Sequence, residues 1–161
     1  MIFPASSLIY VYSGLVSGLV AFLSFRIYRE TKSEISHHFS VTAIGVCLGE
    51  LLWGLPTIIF GSDSVFVVFG YLTAWIPVMF GLIYSFMSAL EYNLISRMKI
   101  NVFVSALLLA IFIFVIGHFL NPPEPYFDEY GLIHWNVLFY YALFSFILIG
   151  ILAVYPGFIF V

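Results

Sequence analysis

Five apolar stretches, each about the length of a membrane-crossing helix, take up most of this chain: residues 7–25, 40–60, 64–90, 102–120 and 135–160. About 20 consecutive apolar residues cross a bilayer as a helix. Within hydrocarbon the backbone must satisfy its own hydrogen bonds, so helices are the expected form. Only 8% of the residues are charged, against about 25% in soluble domains. The expectation is therefore an all-α, polytopic helical bundle, one domain over residues 1–161 with five transmembrane helices. The lipid bilayer is its first partner, and the plasma membrane of a bacterium or archaeon its expected location.

The basic residues orient the bundle. Arg26, Arg29 and Lys32 follow the first stretch, and Arg97 and Lys99 follow the third. With five spans these two loops share a side, and the positive-inside rule makes that side cytoplasmic. The N-terminus is then outside and the C-terminus cytoplasmic. Residues 1–7 lack the basic region of a secretory signal, so the first apolar run is expected to be retained. The fifth stretch has no polar inner border. The expectation is that other membrane subunits or a second copy cover it, or that the chain is a fragment of a longer protein. The net charge of -3, divided between the two faces, argues against nucleic acid as a partner.

Small residues that allow close backbone approach mark packed faces in lipid. Tyr10, Gly14, Ser17, Ala21 and Ser24 form such a stripe in the first helix. Thr42, Gly45, Gly49 and Trp53 form one in the second, and Gly70, Ala74, Pro77, Gly81, Ser85 and Ser88 one in the third. These three helices are expected to form the packed centre, with the fourth facing lipid. Gly14-x-x-x-Gly18 serves either packing within the chain or a dimer face.

Glu50 is the one acidic residue inside a long apolar run, near the middle of the second helix. A charged side chain at the bilayer centre costs about 2.5–3.5 kcal/mol on insertion scales, so such residues mark polar sites or pathways. No Lys or Arg lies in any span to pair with it, so a neutral Glu50 is the first expectation. Pro77 leaves the Thr73 carbonyl without its helical donor. Glu50, Ser17, Thr73 and Pro77 fall at similar depth, with Trp53 and Trp75 nearby, and a ligand-binding or proton-linked pocket is expected there. The competing reading makes Glu50 a hydrogen-bonded link between helices and nothing more.

No catalytic residues are identified, and no cofactor is expected. His37 and His38 border the second helix as solvated interfacial residues. His118, His134, Asp128 and Glu129 flank or lie in an outer loop and are secondary candidates for a divalent metal, without the tight spacing of a known metal motif. In that loop Asn121-Pro122-Pro123-Glu124-Pro125 suggests an extended segment. The lone Cys47 excludes disulfides within the chain and reads as a small buried hydrophobe. The plan is similar to the membrane sensing regions of bacterial signalling proteins, although fold alone does not fix function. The favoured reading is a non-enzymatic sensory or ligand-binding bundle, or a subunit of a larger membrane complex. A small proton-coupled carrier using Glu50 is the alternative, and an intramembrane enzyme comes third.

Overall fold

The computed structural model describes residues 5–61, 64–92, 97–122, 124–130, 132–136, 143–144, 147–152 and 154. Four helices run in sequence: α1 (Ala5–Thr31), α2 (Glu34–Phe60), α3 (Val65–Tyr92) and α4 (Arg97–Leu120). Three of them, α1 to α3, are long and apolar enough to cross a membrane. Residues 143–144, 147–152 and 154 are helical as well; residues 137–142, 145–146, 153 and 155–160 of the expected fifth span, with the Tyr155-Pro156-Gly157 break, lie outside the described residues.

The helices outrun the apolar stretches. The polar segment 26–39 was expected as a connecting loop, yet α1 continues to Thr31 and α2 begins at Glu34. Arg26 and Glu30, one turn apart, pair at 3.1 Å and suit a helix that leaves the bilayer for water. The reversal is made by Lys32, whose φ of 57° is left-handed, and by Ser33. The Ser33 hydroxyl caps α2 by accepting from the Ser36 N–H. At the other end Gly61, with φ 84°, closes α2 by donating to the Thr57 carbonyl.

Glycine brings α2 against both neighbours. A Cβ at Gly54 would sit 2.6 Å from the Ser7 carbonyl of α1, and Gly14 packs on Leu51 and Cys47. On the opposite face a Cβ at Gly45 would strike the Pro77 carbonyl, and one at Gly49 the Val78 side chain. Gly14-x-x-x-Gly18 is thus used inside the chain, because both glycines lie against α2. Hydroxyls reinforce the contact: Ser40 donates to the Ala21 carbonyl and Thr42 to the Gly81 carbonyl, both at 3.1 Å.

The larger apolar core lies elsewhere. Met79, Leu82, Ile83 and Phe86 of α3 pack with Val104 and Leu107 of α4 and with Leu148 and Leu152. This makes α3 the most buried of the helices, while α1 exposes Leu8, Ile9, Tyr12, Leu15, Leu19 and Phe22 along its outer face. A helix in lipid gains nothing by hiding such side chains, so their exposure fits a bilayer.

The loop after α4 also departs from expectation. Glu124–Phe127 (β1) and Ile133–Asn136 (β2) pair as an antiparallel hairpin, with Pro125 opposite Trp135. Trp135 therefore belongs to a strand and does not open a fifth helix. The β-favouring Tyr126, Phe127, Ile133 and Trp135 flank a turn whose Asp128 carboxylate accepts from the Tyr130 and Leu132 N–H groups.

Replacing Gly45 by Val should cost about 1–3 kcal/mol or more, because the Pro77 backbone has nowhere to retreat. Leu19→Val, on the exposed face, should change stability by less than about 0.5 kcal/mol. Unfolding of the micelle-bound protein followed by circular dichroism measures both.

Candidate functional site

Glu50 faces α1. Its half-buried carboxylate accepts hydrogen bonds from Ser13 Oγ at 2.8 Å and from Ser17 Oγ at 3.3 Å, one to each oxygen. The antiparallel register set by Gly14 and Gly54 makes this possible, since Ser13 and Ser17 are one helical turn apart and bracket the Glu50 level. Ser13 was not among the expected residues. The signal was present as a second hydroxyl four positions before Ser17, hidden because the small-residue stripe runs through Gly14.

Toward the α2–α3 turn, the same side of α2 carries Trp53 and Thr57, one and two turns beyond Glu50. The Trp53 ring lies between Tyr10 of α1, at 5.6 Å between centroids, and Trp75 of α3, at 5.5 Å and edge-on. Trp75 continues the contact to Tyr71 and to Phe114 of α4. Among the described residues, four buried polar atoms in this region have no hydrogen-bond partner: Ser7 Oγ, Trp53 Nε1, Thr57 Oγ1 and Trp75 Nε1. Buried polar groups are nearly always satisfied by protein or by ordered water.

Two expected members do not join Glu50. The Thr73 hydroxyl turns back on its own helix, donating to the Phe69 carbonyl at 2.8 Å and reaching the Gly70 carbonyl at 3.3 Å. Pro77 sits within an α3 that continues past it, with its carbonyl against Gly45. Depth alone placed them with Glu50; Thr73 is bonded within α3, and Pro77 meets α2 at Gly45, five residues before Glu50. The site therefore brings together Glu50, Ser17, Trp53 and Trp75, with Ser13, Tyr10 and Thr57 added.

The histidines divide differently from expectation. His37 and His38 are half-buried against α3 and are not simply solvated: His37 Nδ1 lies 3.1 Å from the Tyr84 hydroxyl and His38 Nδ1 2.9 Å from Ser88 Oγ. His118 is buried, with Nδ1 at 3.1 Å from the Phe114 carbonyl and its ring against Phe114. His134 Nε2 lies 2.9 Å from Asp128 Oδ2 on the hairpin, and Tyr126 stacks on its ring. Glu129 is exposed in the turn. Among the described residues, no three His, Cys, Asp or Glu side chains are grouped as a metal site would require. His134 beside Asp128 holds that carboxyl below its usual range, helped by the Leu132 and Tyr130 N–H groups.

Comparison of the chain with protein-family models, characterised proteins and solved structures finds no match.

Two outcomes are expected. Interhelical hydroxyl bonds in membranes contribute about 0.6 kcal/mol on average and up to about 1.7. Ser13→Ala should cost that much in unfolding free energy, and the cost should largely disappear when it is made in a Glu50→Ala background; an undiminished cost there would mean that the hydroxyl acts elsewhere. On the hairpin, a depressed folded-state pKa gives stability that is present above the unfolded value and lost as pH falls through the folded one. Carboxyl-carbon NMR should accordingly show Asp128 titrating below about 3.9, and His134→Ala should move the midpoint upward.

Proposed function

We propose that the chain is a non-enzymatic, multi-pass membrane module in which the Glu50 site binds a proton or a small polar ligand. It acts as a sensory bundle or as a subunit of a larger membrane complex, with the N-terminus outside and Arg26, Arg29, Arg97 and Lys99 on the cytoplasmic side. One observation carries the reading. A carboxylate clasped between two helices stands at the inner end of a region where Ser7 Oγ, Trp53 Nε1, Thr57 Oγ1 and Trp75 Nε1 are buried and unmatched.

A purely structural link would need only the two serines. Their bonds are worth together about 1–3 kcal/mol, close to the about 2.5–3.5 kcal/mol of placing the carboxylate in hydrocarbon. That balance accounts for Glu50 but leaves the four unmatched atoms unexplained. A proton with accompanying water, or a small polar ligand, accounts for both.

A proton-coupled carrier is the second reading, since it needs the same titrating group. Its hinge would be Pro77, and the packing of Pro77 on Gly45 favours a static α3 over a hinged one.

Trp53 and Trp75 report on the site directly. In bilayer nanodiscs, the tryptophan emission should change with pH in the native protein and lose that change in Glu50→Gln, with the fold retained by circular dichroism. An identical pH response in both proteins would remove Glu50 from the function. Proton flux into liposomes that depends on Glu50 would replace the sensory reading with the carrier.

A further inference from the structure

The side of the α1–α2 seam away from α3 holds a groove that the Glu50 site does not use. Its floor is made of small residues, Gly18, Ala21, Ser40 and Cys47, and its walls of Phe22, Phe25, Ile44 and Leu48, around a cavity of about 290 Å³. Gly18 opens it: a Cβ there would stand 3.2 Å from Cys47 Sγ. Phe22 and Phe25 also border a second cavity of about 570 Å³, which is lined further by Arg26, Arg29 and Glu30. One continuous surface thus passes from an apolar slot to a cationic border at the end of α1.

The dimensions fit one kind of occupant. From Gly18 to Arg26 and Arg29, at 1.5 Å per residue, the surface runs about 12–17 Å, the depth of one leaflet of a hydrocarbon core about 30 Å thick. Arg26 is partly engaged by Glu30 at 3.1 Å, so the lining carries two guanidinium groups against one carboxylate. A net positive border with forked donors suits a phosphodiester of charge −1, which guanidinium binds bidentately. A slot of small residues walled by Phe, Ile and Leu suits an acyl chain.

We propose that this surface is a binding site for an anionic glycerophospholipid, one acyl chain lying along Gly18, Ala21 and Cys47 and the phosphate resting between Arg26 and Arg29. The inference is independent of the Glu50 reading, because it uses the opposite side of the seam. Bound in this way, the lipid covers the exposed faces of Phe22, Phe25, Ile44 and Leu48, each 46–64% exposed in the isolated chain.

Native mass spectrometry of the protein in mixed micelles tests it, with phosphatidylglycerol and phosphatidylcholine of identical chains at equal concentration. Each basic residue near an anionic headgroup adds about 1 kcal/mol, or about fivefold. The native protein should retain phosphatidylglycerol several-fold over phosphatidylcholine as its first bound lipid. Arg26→Gln with Arg29→Gln should bring the ratio near unity, and Ile44→Trp should lower retention of both lipids by filling the slot. Phosphatidylglycerol, and not chain-free glycerophosphoglycerol, should slow alkylation of Cys47 by N-ethylmaleimide. Equal retention of the two lipids by the native protein, or an unchanged preference in the double arginine variant, would overturn the proposal. Equal protection of Cys47 by chain-free headgroup would overturn the acyl slot.

Discussion

The close approach of α1, α2 and α3 through glycine is the constraint from which the other features follow. In lipid, apolar side chains gain nothing by leaving one hydrocarbon surface for another, so helices associate through van der Waals contact and interhelical hydrogen bonds. Gly14 and Gly54 on one side of α2, and Gly45, Gly49, Gly70 and Gly81 on the other, let backbones meet without intervening side chains. Only at that separation can short hydroxyls reach across. Ser40 reaches the Ala21 carbonyl, Thr42 the Gly81 carbonyl, and Ser13 and Ser17 the Glu50 carboxylate.

The two sides of the α1–α2 seam then acquire different characters. On the side nearer α3, Glu50 is followed by Trp53 and Thr57, with Tyr10 and Trp75 closing the region. Polar atoms are trapped there with no partner among the described residues. Among the described residues, no third helix lines the other side, which is made of small and apolar residues that end at Arg26 and Arg29. The same antiparallel register produces both, since a helix pair has two flanks and α3 covers one of them. A polar species on the covered flank and a lipid on the open flank are therefore compatible occupants of a single pair of helices.

Much of this was legible in the sequence, and the failures have physical causes. Uninterrupted apolar runs signal long helices, and a single carboxylate in such a run stands out because its cost in hydrocarbon is high. Helix ends were less legible. The apolar runs end at Phe25 and begin again at Ser40, while α1 continues through polar residues to Thr31 and α2 already begins at Glu34. Depth along a helix was read correctly for Ser17 and Glu50, but depth says nothing about azimuth. Thr73 bonds within its own helix and Pro77 meets α2 at Gly45, away from Glu50, whereas Ser13 was missed although it faces Glu50. The hairpin after α4 was obscured by its prolines, which suggest extended chain without showing that Glu124–Phe127 would find a partner in Ile133–Asn136.

The account turns on whether Glu50 is engaged by both serines when α1 and α2 lie in a bilayer. Magic-angle-spinning NMR of the protein in lipid, with glutamate and serine labelled with carbon-13, reads this directly. The carboxyl carbon of Glu50, identified by its loss in Glu50→Gln, should correlate with the Cβ atoms of Ser13 and Ser17. A Glu50 carboxyl that shows neither correlation and contacts lipid headgroups or bulk water instead would contradict the site and the register that creates it.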